Sequence, residues 1–340
     1  MSEPSPPSPG STAVTIVIPM RNERGCIAAC LESILASELP SAMTLEVLVL
    51  DGASDDGSDE IVRQIAAADP RVQLLDNPDR LQAAAFNRGL AVARGDFLVR
   101  MDAHSSYATD YVAECVRLLG ATGAGNVGGV QRALGSTWVT RAIAAAVSSP
   151  FAAGDAKYRN ATTPAFTDTV YLGAWRTTTL RELGGMRADW AVNEDYEMNV
   201  RLRARGDTVY LSPTIRSTYQ VRGTISKLAR QYARYGFWKV RTLIEHRASL
   251  RWRQLVAPVF VVSVVLTPWL VARFGLIGAS HLFAYAVASV AASARIAIKN
   301  GFTLLPILPI IFLVIHLAWG IGFWAGALYW PIVLPTKVAR

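Results

Sequence analysis

Read for the spacing of its apolar residues, the chain falls into two unlike parts. Up to about residue 213, short apolar runs alternate with polar loops and with segments whose apolar residues recur every three or four positions. Val14 to Ile18, Leu45 to Leu50, Val72 to Leu75 and Phe97 to Met101 have the length and β-branched content of buried strands. Between them, Ile27, Cys30, Leu31, Ile34 and Leu35 mark a helix, and Ser58 or Asp59 to Ala68 and Leu81 to Ala93 read as two more. This alternation predicts an α/β domain with a mostly parallel sheet and helices on both faces. Beyond residue 254 the pattern changes to long apolar stretches. Leu255 to Leu276 and Ile277 to Ile298 are each long enough to span a hydrocarbon core, and Thr303 to Val333 gives at least one more span. Pro306, Pro309 and the Gly320/Gly322 pair are expected to kink that last segment or to split it into a re-entrant hairpin.

Charge divides the chain in the same way. No Asp or Glu occurs from 255 to 340, while Thr214 to Gln254 holds ten Arg/Lys against Glu245 alone. These two stretches carry +14, which leaves −6 of the overall +8 for residues 1–213. A mildly acidic head, a basic collar and an apolar tail describe a membrane protein, and they argue against a nucleic-acid partner. In the collar, Arg and Lys alternate with Leu228, Tyr232, Tyr235, Phe237, Trp238, Leu243 and Trp252, the composition of an interfacial helix pair on anionic lipid. Arg295 and Lys299 side with the collar, so the head is expected in the cytosol; three spans would then place Lys337 and Arg340 outside, against the positive-inside rule. The three cysteines form no disulfide framework and no zinc pattern. The Pro/Ser-rich start lacks an apolar h-region and reads as a disordered lead. The expected organisation is a lead over 1–12, a catalytic domain over 13–222, basic interface helices over 223–254 and about three membrane helices over 255–335.

Candidate chemistry sits at predicted strand ends, where open α/β sheets bind their ligands. No G-x-G-x-x-G follows the first strand and no Walker lysine is present. The strand ends carry acids, Asn and Arg instead, which suits a diphosphate neutralised by a metal ion. In ARGDFLVRMDAH, Asp102 and His104 stand just past the fourth strand as a potential ligand pair. Taken alone, such a pair is equally an Asp capping the next helix beside a passive histidine.

The ordered run Pro19-x-x-Asn22-Glu23, Asp51-Gly52-x-Ser54-x-Asp56-Gly57, Asn87-x-Gly89, Gly95-Asp96, Asp102-x-His104, Gly184-Gly185, Glu194-Asp195 and Gln231-x-x-Arg234-Tyr235 resembles family 2 glycosyltransferases. The likeness covers about residues 13–240. DAH together with QYARYGFWK is most similar to the succinoglycan-type exopolysaccharide enzymes. The resemblance implies a GT-A (nucleotide-diphospho-sugar transferase, Rossmann-like) domain followed by C-terminal transmembrane helices. It implies an inverting hexosyltransferase that moves a sugar from a UDP-sugar, UDP-glucose first, to a polyprenyl-diphosphate-linked saccharide during exopolysaccharide assembly.

Residue by residue, the resemblance places Pro19, Asn22, Glu23, Asp51, Asp96 and Arg234 on the donor, Asp51 accepting from the uracil N–H. Asp102 and His104 take a divalent cation, Mg²⁺ or Mn²⁺. Histidine stands where the family more often has a second carboxylate, which favours Mn²⁺. Asp195 is the general base; Glu194, Gln231 and Tyr235 face the acceptor. The implied setting is a bacterial inner (plasma) membrane, with lipid and other polysaccharide-assembly proteins as partners. Two other readings stay open: a polyprenyl-phosphate glycosyltransferase, whose acceptor is already ionised, and a non-catalytic nucleotide-sugar-binding scaffold.

Overall fold

The computed structural model describes residues 12–154, 156–221 and 223–338, so the expected lead lies almost wholly outside the described residues. In chain order the elements are β1 (Thr12–Met20), α1 (Ile27–Leu35), β2 (Met43–Asp51), α2 (Ser58–Ala68), β3 (Val72–Asp76), α3 (Gln82–Val92), β4 (Phe97–Arg100), β5 (Ser105–Tyr107), α4 (Tyr111–Thr122) and β6 (Asn126–Leu134). Then come α5 (Trp138–Val147), α6 (Pro150–Ala153), α7 (Lys157–Asn160), β7 (Ala165–Thr167), β8 (Tyr171–Arg176), α8 (Thr177–Leu183), α9 (Glu194–Ala204) and β9 (Val209–Gln220). Last are α10 (Ile225–Glu245), α11 (Arg253–Phe274), α12 (Ser280–Asn300) and α13 (Leu308–Val338), with 3₁₀ turns between them. Two units emerge, the first from residues 1–132 and 161–219, the second from 133–160 and 220–340. Residues 133–160, which sequence alone assigns to the catalytic domain, belong to the second unit.

The first unit is built on a nine-stranded sheet in the order β3-β2-β1-β4-β8-β6-β9-β5, with β7 on β9. Its first half is parallel, with Val14 opposite both Leu45 and Phe97. From β8 onward the pairing is antiparallel, so the sheet is mixed rather than mostly parallel. Alternation along β1 divides the core. Val14, Ile16 and Ile18 pack with Ile27, Leu31 and Ile34 of α1 and with Val112 and Cys115 of α4. Val17 faces the other way, against Gly89 of α3, where a Cβ would lie 2.7 Å from the valine methyls. Glycine in the Asn87-x-Gly89 motif is thus a packing requirement.

The second unit is helical. The expected pair of collar helices is one long helix, α10, followed by a single 3₁₀ turn. Two helical stretches, Arg253–Asn300 and Leu308–Leu334, are long and apolar enough to cross a membrane, with hydropathies of 2.3 and 2.0. The first doubles back on itself: Phe260 stacks on Tyr285 at 4.2 Å, and Thr267 Oγ1 lies 3.0 Å from His281 Nε2, so α11 and α12 form a hairpin. The last segment is neither kinked apart nor re-entrant, because α13 runs unbroken from Leu308 to Val338. Pro309 sits in its first turn, where a missing N–H costs nothing. Gly320 and Gly322 serve close approach instead: added Cβ atoms would lie 2.5 Å from Ala257 O and 2.0 Å from Ala233 O.

Candidate active site

Parallel strands β1, β2 and β4 end side by side, and the loops leaving them enclose a pocket in the first unit. Pro19 and Met20 end β1, Arg21 and Glu23 follow in its loop, Gly52 follows β2, and Asp102, Ala103 and His104 follow β4. Asn77, Arg80 and Leu81 ahead of α3, with Gln82 at its start, complete the wall. The loops brace one another. Asn22, at φ 56°, exchanges two hydrogen bonds with Asp55, Nδ2 donating to Oδ1 at 2.9 Å and the Asp55 N–H donating back at 3.0 Å. Its own N–H donates to Ser54 Oγ. Asp51 turns its carboxylate to its own loop, accepting from the Ser54 hydroxyl at 2.6 Å. Both residues therefore shape the pocket through the backbone they hold.

Asp102 is held from both sides. Its N–H donates to the Tyr107 hydroxyl at 2.7 Å, and that hydroxyl donates to the Asp102 carbonyl at 3.1 Å. Tyr171 donates to Oδ2 at 3.3 Å. A local distortion aims this tyrosine: Leu172 (φ 62°) and Gly173 (φ 131°) interrupt β8 where its register with β6 shifts, and such bulges redirect side chains. His104 Nδ1 lies 3.8 Å from Glu23 Oε1, which brings Glu23, Asp102 and His104 to one rim.

Below the rim is a residue the sequence reading passed over. Arg100 is buried, with Nη1 3.3 Å from Glu194 Oε1 and Nη2 3.6 Å from Asp102 Oδ1. Burial alone would pull its pKa down, but Asp102, Glu194 and Asp195 together hold it above the ordinary arginine value. Burial pushes the Glu194 carboxyl up, and Arg100 opposes that shift. Glu194 and Asp195 are the first residues of α9. Glu194 points inward, at 4% exposure, and supports the site from beneath instead of facing an acceptor. Asp195 is half-buried and accepts from the Tyr196 N–H at 2.7 Å. Within α9, Arg201 pairs with Glu197 and donates to the carbonyls of Leu183 and Gly185, fixing the helix to the Gly184-Gly185 turn. Asn87 receives the next residue, Met186, through paired hydrogen bonds of 2.7 and 2.8 Å.

One expected residue of the first unit lies away from this site. Asp96 stands at the amino end of β4, opposite the end that carries Asp102, and accepts from the Ala13 N–H at 3.1 Å. A turn residue before a strand points away from the carboxyl-end crevice, so its place on the donor is withdrawn. Arg234, Gln231 and Tyr235 belong to the second unit, three and four residues apart on α10, where Gln231 Nε2 donates to the Tyr235 hydroxyl at 2.6 Å. Arg80 and Asn77 were not anticipated, since nothing in their local sequence sets them apart from other turn residues.

The donor set suits a divalent ion shared with a substrate. Among the described residues no three His, Cys, Asp or Glu side chains cluster to hold a metal by themselves. One carboxylate and one imidazole at a pocket rim fit a hard or borderline cation whose remaining ligands are diphosphate oxygens and water.

The chain is similar to known proteins in sequence and in fold. Residues 15–172 match the model for glycosyl transferase family 2. Over 321 residues the chain is 32% identical to the succinoglycan biosynthesis protein ExoA of Rhizobium meliloti, covering 92% of this chain and 94% of that protein. It is 25% identical, over 92% of its length and 96% of the other, to a dolichyl N-acetyl-alpha-D-glucosaminyl phosphate 3-beta-D-2,3-diacetamido-2,3-dideoxy-beta-D-glucuronosyltransferase of Methanococcus voltae. In fold it matches a mannosyltransferase of Pyrobaculum calidifontis solved with GDP-Man and Mn²⁺, at a TM-score of 0.58 and 21% identity, over 95% of this chain and 90% of that one. A GT-A sheet, acids gathered at its strand ends and likeness along nearly the whole length lead to one assignment: the chain belongs to glycosyl transferase family 2.

Proposed function

We propose that this glycosyltransferase moves a hexose from a UDP-sugar to a hydroxyl of a polyprenyl-diphosphate-linked saccharide, with inversion at the anomeric carbon. The observation that supports the reading is Arg100, which ties Asp102, just past β4, to Glu194 at the start of α9, where the proposed cation ligand and the proposed base would serve one substrate. In the step, Asp195 takes the acceptor O–H proton while the oxygen attacks C1. The C1–O bond to the diphosphate breaks, and its electron pair leaves with the nucleotide. A cation held by Asp102 and His104 would stabilise the charge growing on that leaving group. Pro19, Arg21, Glu23 and Gly52 line the space for the nucleoside, with Asp51 and Asn22 holding their loops. The Mn²⁺ bound by the Pyrobaculum mannosyltransferase supports the cation. The named acceptor of the Methanococcus enzyme, a sugar on dolichyl phosphate, supports a lipid-held hydroxyl. A membrane-bound chain with its head in the cytosol suits such an acceptor, because holding it at the surface cuts the entropy lost on encounter.

The experiment is a radiolabel transfer screen of nucleotide sugars onto a lipid-linked acceptor fraction, with and without EDTA, in wild type and Asp195→Asn. Transfer from a UDP-sugar that EDTA stops, and that the variant loses while still binding UDP, is the expected result. Retained turnover in Asp195→Asn would point to the phosphate acceptor, and metal-dependent binding without transfer would point to a scaffold.

A further inference from the structure

The second unit pairs its most basic helix with its most apolar one. Along α10 and α13, Ala233 meets Gly322, Phe237 meets Gly326, and Trp330 Nε1 donates to Phe237 O at 2.9 Å, so the two run in parallel. Their backbones approach too closely for lipid to separate them: a Cβ on Gly236 would lie 2.0 Å from Trp319 O, and one on Gly326 2.5 Å from Phe237 O. Earlier in α10, Leu228 and Tyr232 share a core with Ile311, Phe312 and Ile315. Wherever α13 goes, α10 goes with it.

That companionship decides orientation. Lys227, Arg230 and Arg234 are exposed on α10. Arg234 follows Ala233, which sits at Gly322, close to the middle of the Leu308–Leu334 stretch. Were α13 to cross a bilayer, that guanidinium would lie at the hydrocarbon midplane. The faces of α13 tell the same story. Ile310, Leu313, Ile321, Trp324, Leu328 and Ile332 form an exposed apolar stripe, while Ile311, Ile315, Gly322 and Gly326 are buried on the opposite side. A helix apolar on one side and packed on a basic partner on the other is built to lie in an interface. The α11–α12 hairpin differs, with exposed apolar side chains such as Val259, Val265, Trp269, Phe283 and Val290 along both arms.

We propose that α13 does not span the membrane but lies along a single leaflet, its exposed stripe among the acyl chains and α10 beside it, leaving the α11–α12 hairpin to cross. The basic residues of α10 then sit at headgroup level, where anionic lipid complements them. With two crossings in place of three, Arg295 and Lys299 share the side of the collar, and the positive-inside conflict of a three-span layout does not arise. The inference rests on the membrane attachment proposed above, and not on the donor or on Asp195.

The test uses the full chain, Cys26→Ala, reconstituted in vesicles containing anionic lipid, with nitroxides on Leu313→Cys or Leu328→Cys. These exposed positions are about 22 Å apart along a helix. Power-saturation EPR should report the same depth for both; depths near opposite surfaces would overturn the proposal. An impermeant maleimide should label Ser2→Cys and Arg340→Cys from one side of the vesicle, and labelling from opposite sides would equally overturn it. A chain that fails to float with the vesicles defeats the attachment itself, and the proposal with it, while leaving the transfer assay unaffected.

Discussion

A guanidinium without water around it needs carboxylates, and Arg100 has two within 3.6 Å. Truncating one side of such a buried pair costs about 3–5 kcal/mol, because the partner stays buried and uncompensated. Arg100→Met is therefore expected to lower the denaturant midpoint markedly and to abolish transfer, whereas Arg100→Lys keeps the charge, loses the fork and recovers stability ahead of kcat. Equilibrium unfolding beside single-turnover transfer reads both. His104 carries a separate expectation. Exchanging its imidazole for a carboxylate in His104→Asp hardens the ligand pair, so the ratio of Mg²⁺- to Mn²⁺-supported activity should rise. Metal titration of the chelated enzyme measures that ratio. A third residue governs acid sensitivity. Arg117 and Thr214 hold the Glu114 carboxyl below its usual range. A depressed folded-state pKa contributes stability at neutral pH that disappears as the unfolded chain begins to bind the proton. Wild type should lose stability as pH drops through the ordinary glutamate range, and Glu114→Gln should flatten that part of the profile; melting curves from pH 3 to 7 decide it.

Elements differ in how far their own residues specify them. Helix α2 starts at the first of its two expected start residues and ends at Ala68 as expected, and β1 to β4 fall on the predicted apolar runs, because a strand buried on both faces needs an unbroken apolar run. The antiparallel half was less legible. Tyr171 reaches Asp102 through a bulge at Leu172 and Gly173, and nothing in YLGAWR marks a non-glycine residue for positive φ. Glu194 and Asp195 stand out in sequence as a pair, but which of them turns inward depends on where the helix starts and on Arg100, far away in sequence at the end of β4. The glycines of α13 were legible as glycines and misleading as kinks, since only a partner helix shows that they make room. Their role predicts a contrast. Gly322→Ala drives a methyl into the Ala233 carbonyl and should lower the melting temperature of the detergent-solubilised chain. Gly120→Ala, in α4 with nothing within 4 Å of the new Cβ, should raise stability by about 1 kcal/mol through helix propensity alone.

At the scale of the whole molecule, the site is a place that substrate completes. Its loops are already braced by Asn22 with Asp55, and Asp102 by Tyr107 and Tyr171, so the rim is in position before anything binds. What the rim lacks is ligands: with no three-residue cluster among the described residues, a cation alone gains too few bonds to shift the folding equilibrium. A nucleoside diphosphate supplies the missing oxygens, and only then does binding to the folded state translate into stability, by about 2.7 kcal/mol at a hundredfold excess over Kd. Mn²⁺ alone should thus leave the melting temperature nearly unchanged, UDP alone should raise it slightly, and the two together should raise it by more than the sum of the separate shifts. Asp102→Asn should erase the excess while keeping the effect of UDP alone. Asp195→Asn should preserve all three shifts, because a base that acts on the acceptor contributes nothing to holding the leaving group. Differential scanning of the four combinations in both variants separates the roles of the two aspartates, and a synergy that survives Asp102→Asn would remove that residue from the cation.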